Sequence, residues 1–416
     1  MLKESKYNIY FNDCIYNTRS FQFIKIGNND KKILQEKKYF LFENKFLEIL
    51  EKKRFLVDRT VNEVEGVIQD YLEKTNDKIL YLQIMATNNC NFSCKYCYES
   101  KCKESIDSNF FDIFSRFIEN NIDDYKCIQI EWFGGEPLLM YDEIINISLM
   151  TKRVCESRNK SFASSITTNG YFLTKDIMKK MIEANILYYQ ITIDGSKQTH
   201  DYYRTLKDGS GTFDRIMHNI LEINGLGDVD YPFQLVVRCN VNKRNISEAQ
   251  ELANNFSNIF SNKRILFLPY RTCDWGGESV QYIKNDLYTE EEYNKLKFNV
   301  SRIYNANYKN DMCYSNRKYG YVLDNKMNLY DCSHVELTDA NRIGYISKNG
   351  EIIIERPKKN RLESISQECK KCVFLPICIY STCPKKFLHC SNVCYQSNIN
   401  EIRNNLKKRL LYEKNL

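Results

Sequence analysis

Leu80-Tyr81-Leu82-Gln83-Ile84-Met85, followed after four residues by Cys90-Asn91-Phe92-Ser93-Cys94-Lys95-Tyr96-Cys97, decides how this chain is read. The first stretch is apolar and short, as a buried strand is. The second places three thiols within eight residues. Thiolates are soft ligands suited to iron-sulfur clusters and zinc, and at such spacing in a cytosolic chain they are more often metal ligands or redox groups than disulfides. A zinc knuckle or ordinary buried thiols are the plain alternatives. A zinc site normally takes four protein ligands, however, and no fourth Cys or His follows at knuckle spacing. Three thiolates can hold three irons of a four-iron cluster and leave the fourth open.

Working outward, residues 80 to 270 alternate short apolar runs with amphipathic helical patterns. The strand candidates are 81–86, 127–133, 162–168, 188–193, 233–241 and 264–269. Between the first two lies a helix with Phe110, Ile113, Phe114, Phe117 and Ile118 on one face. Strand-helix repetition at this spacing implies right-handed βαβ crossovers and a parallel sheet, with ligands outside the carboxyl ends of the strands. The fold class expected is α/β, a partial (β/α)6 barrel with a small N-terminal α+β module and a cysteine-rich, loop-rich C-terminal domain. The triplet falls just after the first strand, at the functional end.

In the N-terminal module, Tyr7-Asn8-Ile9-Tyr10-Phe11 and Phe21-Gln22-Phe23-Ile24-Lys25-Ile26 read as a strand pair. Two helical patterns follow, the second with Val61, Val64, Val67, Ile68, Tyr71 and Leu72 on one face. Beyond Arg271 the periodicity weakens. A polar helical stretch from Thr289 to Tyr304 leads into the cysteine-rich region, and a basic amphipathic helix over 398–413 closes the chain. The expected domains are 1–76, 77–272, 273–312 as a bridging region, and 313–416.

At 416 residues the chain holds a substantial core. Its formal charge of +7 comes from lysines spread along the sequence, which hints at an acidic partner and does not support nucleic-acid binding. The charged start and the lack of a long apolar run predict no secretion signal and no membrane helix, hence a cytoplasmic protein. Of 17 cysteines, eleven fall into two groups. Cys14, Cys102, Cys127, Cys155, Cys239 and Cys273 are scattered and read as small buried hydrophobes.

The C-x3-C-x2-C triplet resembles the signature of radical S-adenosylmethionine (AdoMet) enzymes, and the stretches after the following strands carry the resemblance further. Glu131-Trp132-Phe133-Gly134-Gly135-Glu136-Pro137 is similar to the GGEP element, Thr167-Thr168-Asn169-Gly170 to a TNG element, and Asp194-Gly195 with His200-Asp201-Tyr202-Tyr203-Arg204 to a DG-x5-HD-x2-R element. The resemblance implies a [4Fe-4S] cluster on Cys90, Cys94 and Cys97 whose open iron is chelated by AdoMet, and reductive cleavage of AdoMet to a 5'-deoxyadenosyl radical. It implies AdoMet contacts from Tyr96 beside the adenine, from Gly134, Gly135, Glu136 and Pro137 toward the methionine amino group, from Thr168 and Asn169 toward the ribose, and from Arg204 near the carboxylate. Asp194 and His200 are read as either structural or functional. Taken alone, the glycines read as a place where backbone approaches a ligand closely.

The tail holds Cys313, Cys332, Cys369, Cys372, Cys378, Cys383, Cys390 and Cys394. Zinc ribbons or two further four-iron clusters both fit eight thiolates. The pattern resembles the SPASM extension of radical AdoMet enzymes, with Met327 where a glycine is expected and one extra residue between Cys378 and Cys383. By position, Cys313, Cys332 and Cys383 would bind a first auxiliary cluster, and Cys369, Cys372, Cys378 and Cys394 a second. Cys390 or Cys273 could complete the first. The cofactors implied are thus AdoMet and three [4Fe-4S] clusters.

Together these resemblances imply hydrogen abstraction from a peptide or protein, with an electron donor such as flavodoxin or ferredoxin. The strand pair with helices is similar to the leader-recognition element of ribosomal-peptide maturases, so the expected partner is a precursor peptide with a leader and the expected product a thioether or carbon-carbon crosslink. Anaerobic sulfatase maturation, which makes formylglycine, is the alternative enzyme. A non-catalytic zinc-binding scaffold is the alternative of another class. No general base stands out; Tyr270, Asp274 and Glu278 are candidates by position alone.

Overall fold

The computed structural model describes residues 1–11, 13–99, 104–227, 231–274, 281, 283–289, 292–293, 295–300, 302, 312–358, 362 and 365–381. The chain divides into two compact units. One takes in residues 1–77 with 312–318 and 365–381; the other takes in the stretch from Lys78 toward 302 together with Tyr319–Lys358. The stretch expected as one C-terminal domain is therefore shared between the two.

In the first unit, β1 (Leu2–Glu4) pairs antiparallel with β5 (Leu56–Asp58). Strands β2 (Asn8–Tyr10), β3 (Cys14–Asn17) and β4 (Gln22–Lys25) form an antiparallel sheet in that order. The expected strand pair thus flanks a third strand. Cys-Ile-Tyr-Asn is buried at every position, so it shows no alternation to read. Helices α1 (Asn28–Gln35), α2 (Asn44–Lys52) and α3 (Glu63–Thr75) follow. Asn62 caps α3 by accepting from the Glu65 N–H. Val67 and Tyr71 pack with Tyr7, Tyr16, Phe374, Leu375 and Ile377. Val61 and Leu72, placed on the same face by periodicity, are exposed, so the buried stripe is narrower than expected.

The second unit is built on six parallel strands in chain order: β6 (Ile79–Thr87), β7 (Cys127–Gly134), β8 (Ser161–Thr168), β9 (Ile186–Thr192), β10 (Gln234–Val241) and β11 (Ile265–Arg271). Every adjacent pair is parallel. These match the six expected runs to within two residues at each end. Helices α4 (Ser108–Asn121), α5 (Tyr141–Ser157), α6 (Lys175–Glu183), α7 (Lys197–Tyr203), α8 (Phe213–Asn224) and α9 (Ile246–Ile259) make the crossovers. In β7, Ile128, Ile130 and Trp132 are buried in the core, while Gln129, Glu131 and Phe133 on the other face are half-buried. In β10 the same rule sends Leu235, Val237, Cys239 and Val241 into the core and turns Arg238 and Asn240 the other way. This polar face of the sheet is where a ligand can sit.

Four further strands of this unit were not foreseen. β12 (Gly320–Leu323) lies parallel beside β6 and continues through the antiparallel β13 (Asn328–Tyr330), β14 (Arg342–Ile346) and β15 (Ile352–Ile354), giving a ten-stranded sheet. Each is five residues or fewer, too short for a period to register. The β14–β15 turn is fastened to α4, where Asn121 and Asn120 donate to the Gly350 and Asn349 carbonyls, both at 2.9 Å. The expected polar helix is not continuous, since residues 296–300 are not helical. The closing helix over 398–413 and Cys102, Glu278, Cys383, Cys390 and Cys394 lie outside the described residues.

Candidate active site

The cysteine loop leaves the end of β6 and is held from two sides. On one side the turn after β7 rides against it: the Gly135 N–H donates to the Thr87 carbonyl at 2.8 Å and the Glu136 N–H to the Asn89 carbonyl at 2.9 Å. Gly134 has φ +120°, a region open essentially to glycine. A Cβ there would overlap the Thr87 carbonyl, and one on Gly135 would overlap that of Asn89. The two glycines therefore let the two loops meet. On the other side the chain after α7 pairs with the loop, Ser93 N–H to Thr205 O at 2.8 Å and Lys95 N–H to Tyr203 O at 2.9 Å. Phe92, between Cys90 and Cys94, is fully buried and anchors the loop in the core. Cys90 is buried, and Cys94 and Cys97 are half-buried. The three thiols share this one loop, with no group of three Cys, His, Asp or Glu converged on a point among the described residues.

Glu136 ties three strand ends together. Its carboxylate is inaccessible to solvent, and Oε1 accepts from Thr168 Oγ1 at 2.6 Å and the Leu138 N–H at 3.0 Å, while Oε2 accepts from the Asn169 N–H at 2.7 Å. Burial pushes its pKa up, and these donors pull the other way. A carboxylate has about four acceptor positions, so one on Oε2 stays open. Pro137 opens the short 3-10 turn Pro137–Met140 behind it, where its missing N–H costs nothing. Asn169 then reaches back to the cysteine loop, its Nδ2 donating to Asn91 Oδ1 at 2.8 Å.

The loop's Tyr96 is the centre of a second cluster. Its hydroxyl donates to Asp194 Oδ2 and accepts from Arg204 Nη1 at 2.8 Å and Asn240 Nδ2 at 3.2 Å. Asp194 Oδ1 accepts from the Asn240 N–H at 2.9 Å. Burial pushes the Tyr96 phenol well up and raises Asp194, the Arg204 charge opposing both. Arg204, 7% exposed, has a buried Nε without a partner, and Asn91 Nδ2 is likewise unmatched. Unmatched buried donors are costly. A buried guanidinium edge with no acceptor fits an amino-acid carboxylate, and the open Oε2 position of Glu136 fits an ammonium. The residues present thus suit the methionine end of AdoMet.

His200 works from below. Its Nδ1 accepts the Asp194 N–H at 3.2 Å, and Nε2 faces Thr212 Oγ1 at 3.1 Å, whose own hydrogen goes to the Arg204 carbonyl at 2.6 Å. These partners require the neutral ring protonated on Nε2. Burial, then the nearby Arg204 charge, hold its pKa well below the usual value. His200 is thereby structural, and a pH dependence follows. The unfolded chain takes up a proton near pH ~6.5 and the folded one does not, so stability is full above that pH and falls below it by about 1.4 kcal/mol per pH unit. His200→Gln should flatten the slope of the urea midpoint between pH 6.5 and 5; an unchanged slope would contradict the assignment.

Beside this cluster, Arg238 donates from Nε to Asn240 Oδ1 at 2.9 Å and stacks on Tyr270 at 3.9 Å from the ring centre. Lower on the same sheet, Tyr81 donates to Glu131, whose pKa burial raises. Tyr98 stacks on His334 at 5.4 Å and 14°, and the His334 N–H points to the Sγ of buried Cys332 at 3.4 Å. Cys273 Sγ lies 3.3 Å from the Arg271 carbonyl, and Tyr270 and Asp274 are at the end of β11. Cys313, Cys369, Cys372 and Cys378 belong to the first unit. There the last three lie on or beside two short helices, Gln367–Lys371 and Leu375–Ser381, with Ser366 Oγ 3.4 Å from Cys369 Sγ.

Residues 84–253 match the model of the Radical SAM superfamily. Over that stretch the chain is similar to radical SAM enzymes. A cysteine-type anaerobic sulfatase-maturating enzyme of Clostridium novyi (strain NT) is 28% identical over 332 residues, 70% of this chain and 84% of that protein. Fe-coproporphyrin III synthase of Methanosarcina barkeri is 22% identical over 223 residues, 53% and 50% of the two chains. Among solved structures, native anSMEcpe with bound AdoMet and Kp18Cys peptide has a TM-score of 0.54 at 18% identity, over 72% of this chain and 88% of that one. The partial barrel expected from strand-helix repetition is thus matched in fold. Enzymes of this superfamily use AdoMet and a four-iron cluster. Sequence reasoning did not single out Asn240, Asn91 and Thr212, although a polar side chain near the end of β10 on the ligand face marks Asn240. No helix among the described residues is long and apolar enough to cross a membrane.

Proposed function

We propose that this radical SAM enzyme modifies a ribosomally made precursor peptide, removing hydrogen from it to close a thioether or carbon-carbon crosslink. When bound, the cluster and AdoMet supply the hydrogen-abstracting radical. Cys90, Cys94 and Cys97 would hold the cluster. Arg204 would take the AdoMet carboxylate, Glu136 and the Gly134-Gly135 backbone its amino group, and Thr168, Asn169 and Tyr96 the nucleoside. Two SPASM-type auxiliary clusters would fall to Cys313, Cys332 and Cys383 and to Cys369, Cys372, Cys378 and Cys394, fed by a ferredoxin or flavodoxin.

The observation that carries the peptide reading is the N-terminal unit. Its sheet ends in β4, which pairs only with β3 among the described residues, so an extended leader could add a strand there. The Ile26 N–H donates inward to Asp13 O, and alternation then turns the Phe23 and Lys25 N–H groups outward. Lys25→Pro removes one outward donor, and leader affinity should fall about fivefold or more. Unchanged affinity would count against docking at this edge.

The second reading, oxidation of a cysteine or serine to formylglycine, is favoured by the Clostridium novyi relative. Anaerobic turnover with peptides encoded beside the gene, read by mass spectrometry, separates them. A crosslink appears as the loss of two hydrogens with no aldehyde to trap, formylglycine from serine as the same loss with an aldehyde that a hydrazide captures, and formylglycine from cysteine as replacement of the thiol sulfur by an aldehyde oxygen. The match of residues 84–253 to the Radical SAM superfamily model favours an enzyme over the zinc-scaffold reading.

A further inference from the structure

The geometry points to the Tyr96 hydroxyl as a spacer that keeps Arg204 from pairing with Asp194 and so holds the guanidinium ready for the carboxylate of AdoMet; this rests on the cofactor reading above. Arg204 and Asp194 are a buried cation and a buried carboxylate that hydrogen-bond to the same phenol hydroxyl. Left to themselves, buried opposite charges this close form a direct ion pair, because each otherwise lacks compensation in a dry site. Here the hydroxyl stands between them. Its hydrogen goes to Asp194 and its lone pairs take Arg204 Nη1 and Asn240 Nδ2, so every polar position of the phenol is used.

Two consequences follow for Arg204. Nη1 is committed to an uncharged acceptor, and Nε stays buried and unmatched. The guanidinium plane is confined by aromatic rings, its carbon 5.6 Å from the Phe92 centre and 6.0 Å from that of Tyr96. The cation is neither neutralised nor free to turn, and its open side awaits an anion. A phenylalanine at position 96 would keep the ring and remove the spacer. Asp194 Oδ2, Arg204 Nη1 and Asn240 Nδ2 would lose a partner together, and the simplest repair is a direct Arg204–Asp194 pair that withdraws the guanidinium from the ligand. Tyr96 is on this account a positioning residue acting through its hydroxyl as well as an aromatic wall.

The test is AdoMet binding to the anaerobically reconstituted holoenzyme by equilibrium dialysis, with iron content and melting temperature measured alongside. Tyr96→Phe should weaken AdoMet binding about tenfold at unchanged iron content. The AdoMet-induced change in the EPR spectrum of the reduced cluster should be only partial at a concentration that just saturates the wild type. Asn240→Ala, which loosens the hydroxyl without removing it, should cost about threefold. The decisive variant is the double Tyr96→Phe/Asp194→Asn. With no carboxylate left to capture Arg204, it should bind AdoMet more tightly than Tyr96→Phe alone. A merely structural tyrosine predicts further loss in the double variant, and that result, or a Tyr96→Phe affinity within twofold of wild type, would overturn the proposal. If Tyr96→Phe does not fold, an unchanged affinity in Asn240→Ala overturns it instead. A wild-type holoenzyme that binds no AdoMet would overturn the cofactor reading itself.

Discussion

Gly134→Ala should destabilise the barrel unit by about 2–6 kcal/mol and abolish AdoMet binding. Two costs add. At φ +120° an alanine backbone is strained by roughly 1–3 kcal/mol. The new methyl would also overlap the Thr87 carbonyl, and backbone has no rotamer into which to retreat, so the two loops must part at a further cost of about 1–3 kcal/mol. Parting them breaks the Gly135–Thr87 and Glu136–Asn89 hydrogen bonds that set the cysteine loop. The expected signature is a lower urea midpoint together with poor iron retention after reconstitution. Gly225→Ala is the control. It lies at a helix end where a Cβ meets only the Glu222 carbonyl at 3.5 Å, an ordinary contact, and should change little. Equal losses in the two variants would contradict the close-approach account.

Glu136→Ala is the second large effect. Truncation strands the Asn169 N–H, the Leu138 N–H and the Thr168 hydroxyl in a site closed to water. Each buried orphan costs about 1–3 kcal/mol, so a total near 4 kcal/mol is expected even after partial collapse. Glu136→Gln keeps the shape and the Oε1 acceptor, and fails only where its amide would face the Asn169 N–H. It should cost about 1–2 kcal/mol. Denaturation midpoints of the three proteins check the order, wild type above Gln above Ala. AdoMet affinity should follow the same order, since the Asn169 side chain, which Glu136 places through the backbone, in turn holds Asn91 of the cysteine loop. Equal midpoints for the alanine variant and the wild type would show that Glu136 is a ligand contact without this internal role.

These two residues also show how far the sequence could be read. The six barrel strands were legible because each is long enough for alternation or a β-branched run to register. The motif residues were legible because their spacing is local. What local spacing does not carry is the partner of each motif. Gly134 and Gly135 read as backbone approaching a ligand, whereas the atoms they approach are Thr87 and Asn89 of the same chain. Thr168 and Asn169 read as ribose contacts, and their first partner is Glu136. The hub on Tyr96 draws on positions 96, 194, 204 and 240, which meet only once the parallel sheet has set the register. His200 could be read either way, and its hydrogen bonds to Asp194 and, through Thr212, to the Arg204 carbonyl decide for structure. The strands from Gly320 to Ile354 escaped notice for the opposite reason: β12 is buried at every position and β13 to β15 are too brief to show a period.

The central claim is that the loop carrying Cys90, Cys94 and Cys97, fixed by the Glu136 and Tyr96 clusters, is an AdoMet-cleaving iron-sulfur centre. The most direct test is the yield of 5'-deoxyadenosine when the anaerobically reconstituted full chain is reduced in the presence of AdoMet. Wild type should form it, and the triple variant Cys90→Ala/Cys94→Ala/Cys97→Ala should form none while keeping its fold by circular dichroism. A colourless wild-type protein that holds zinc and leaves AdoMet intact, or a triple variant that cleaves it as well as wild type, would contradict the account.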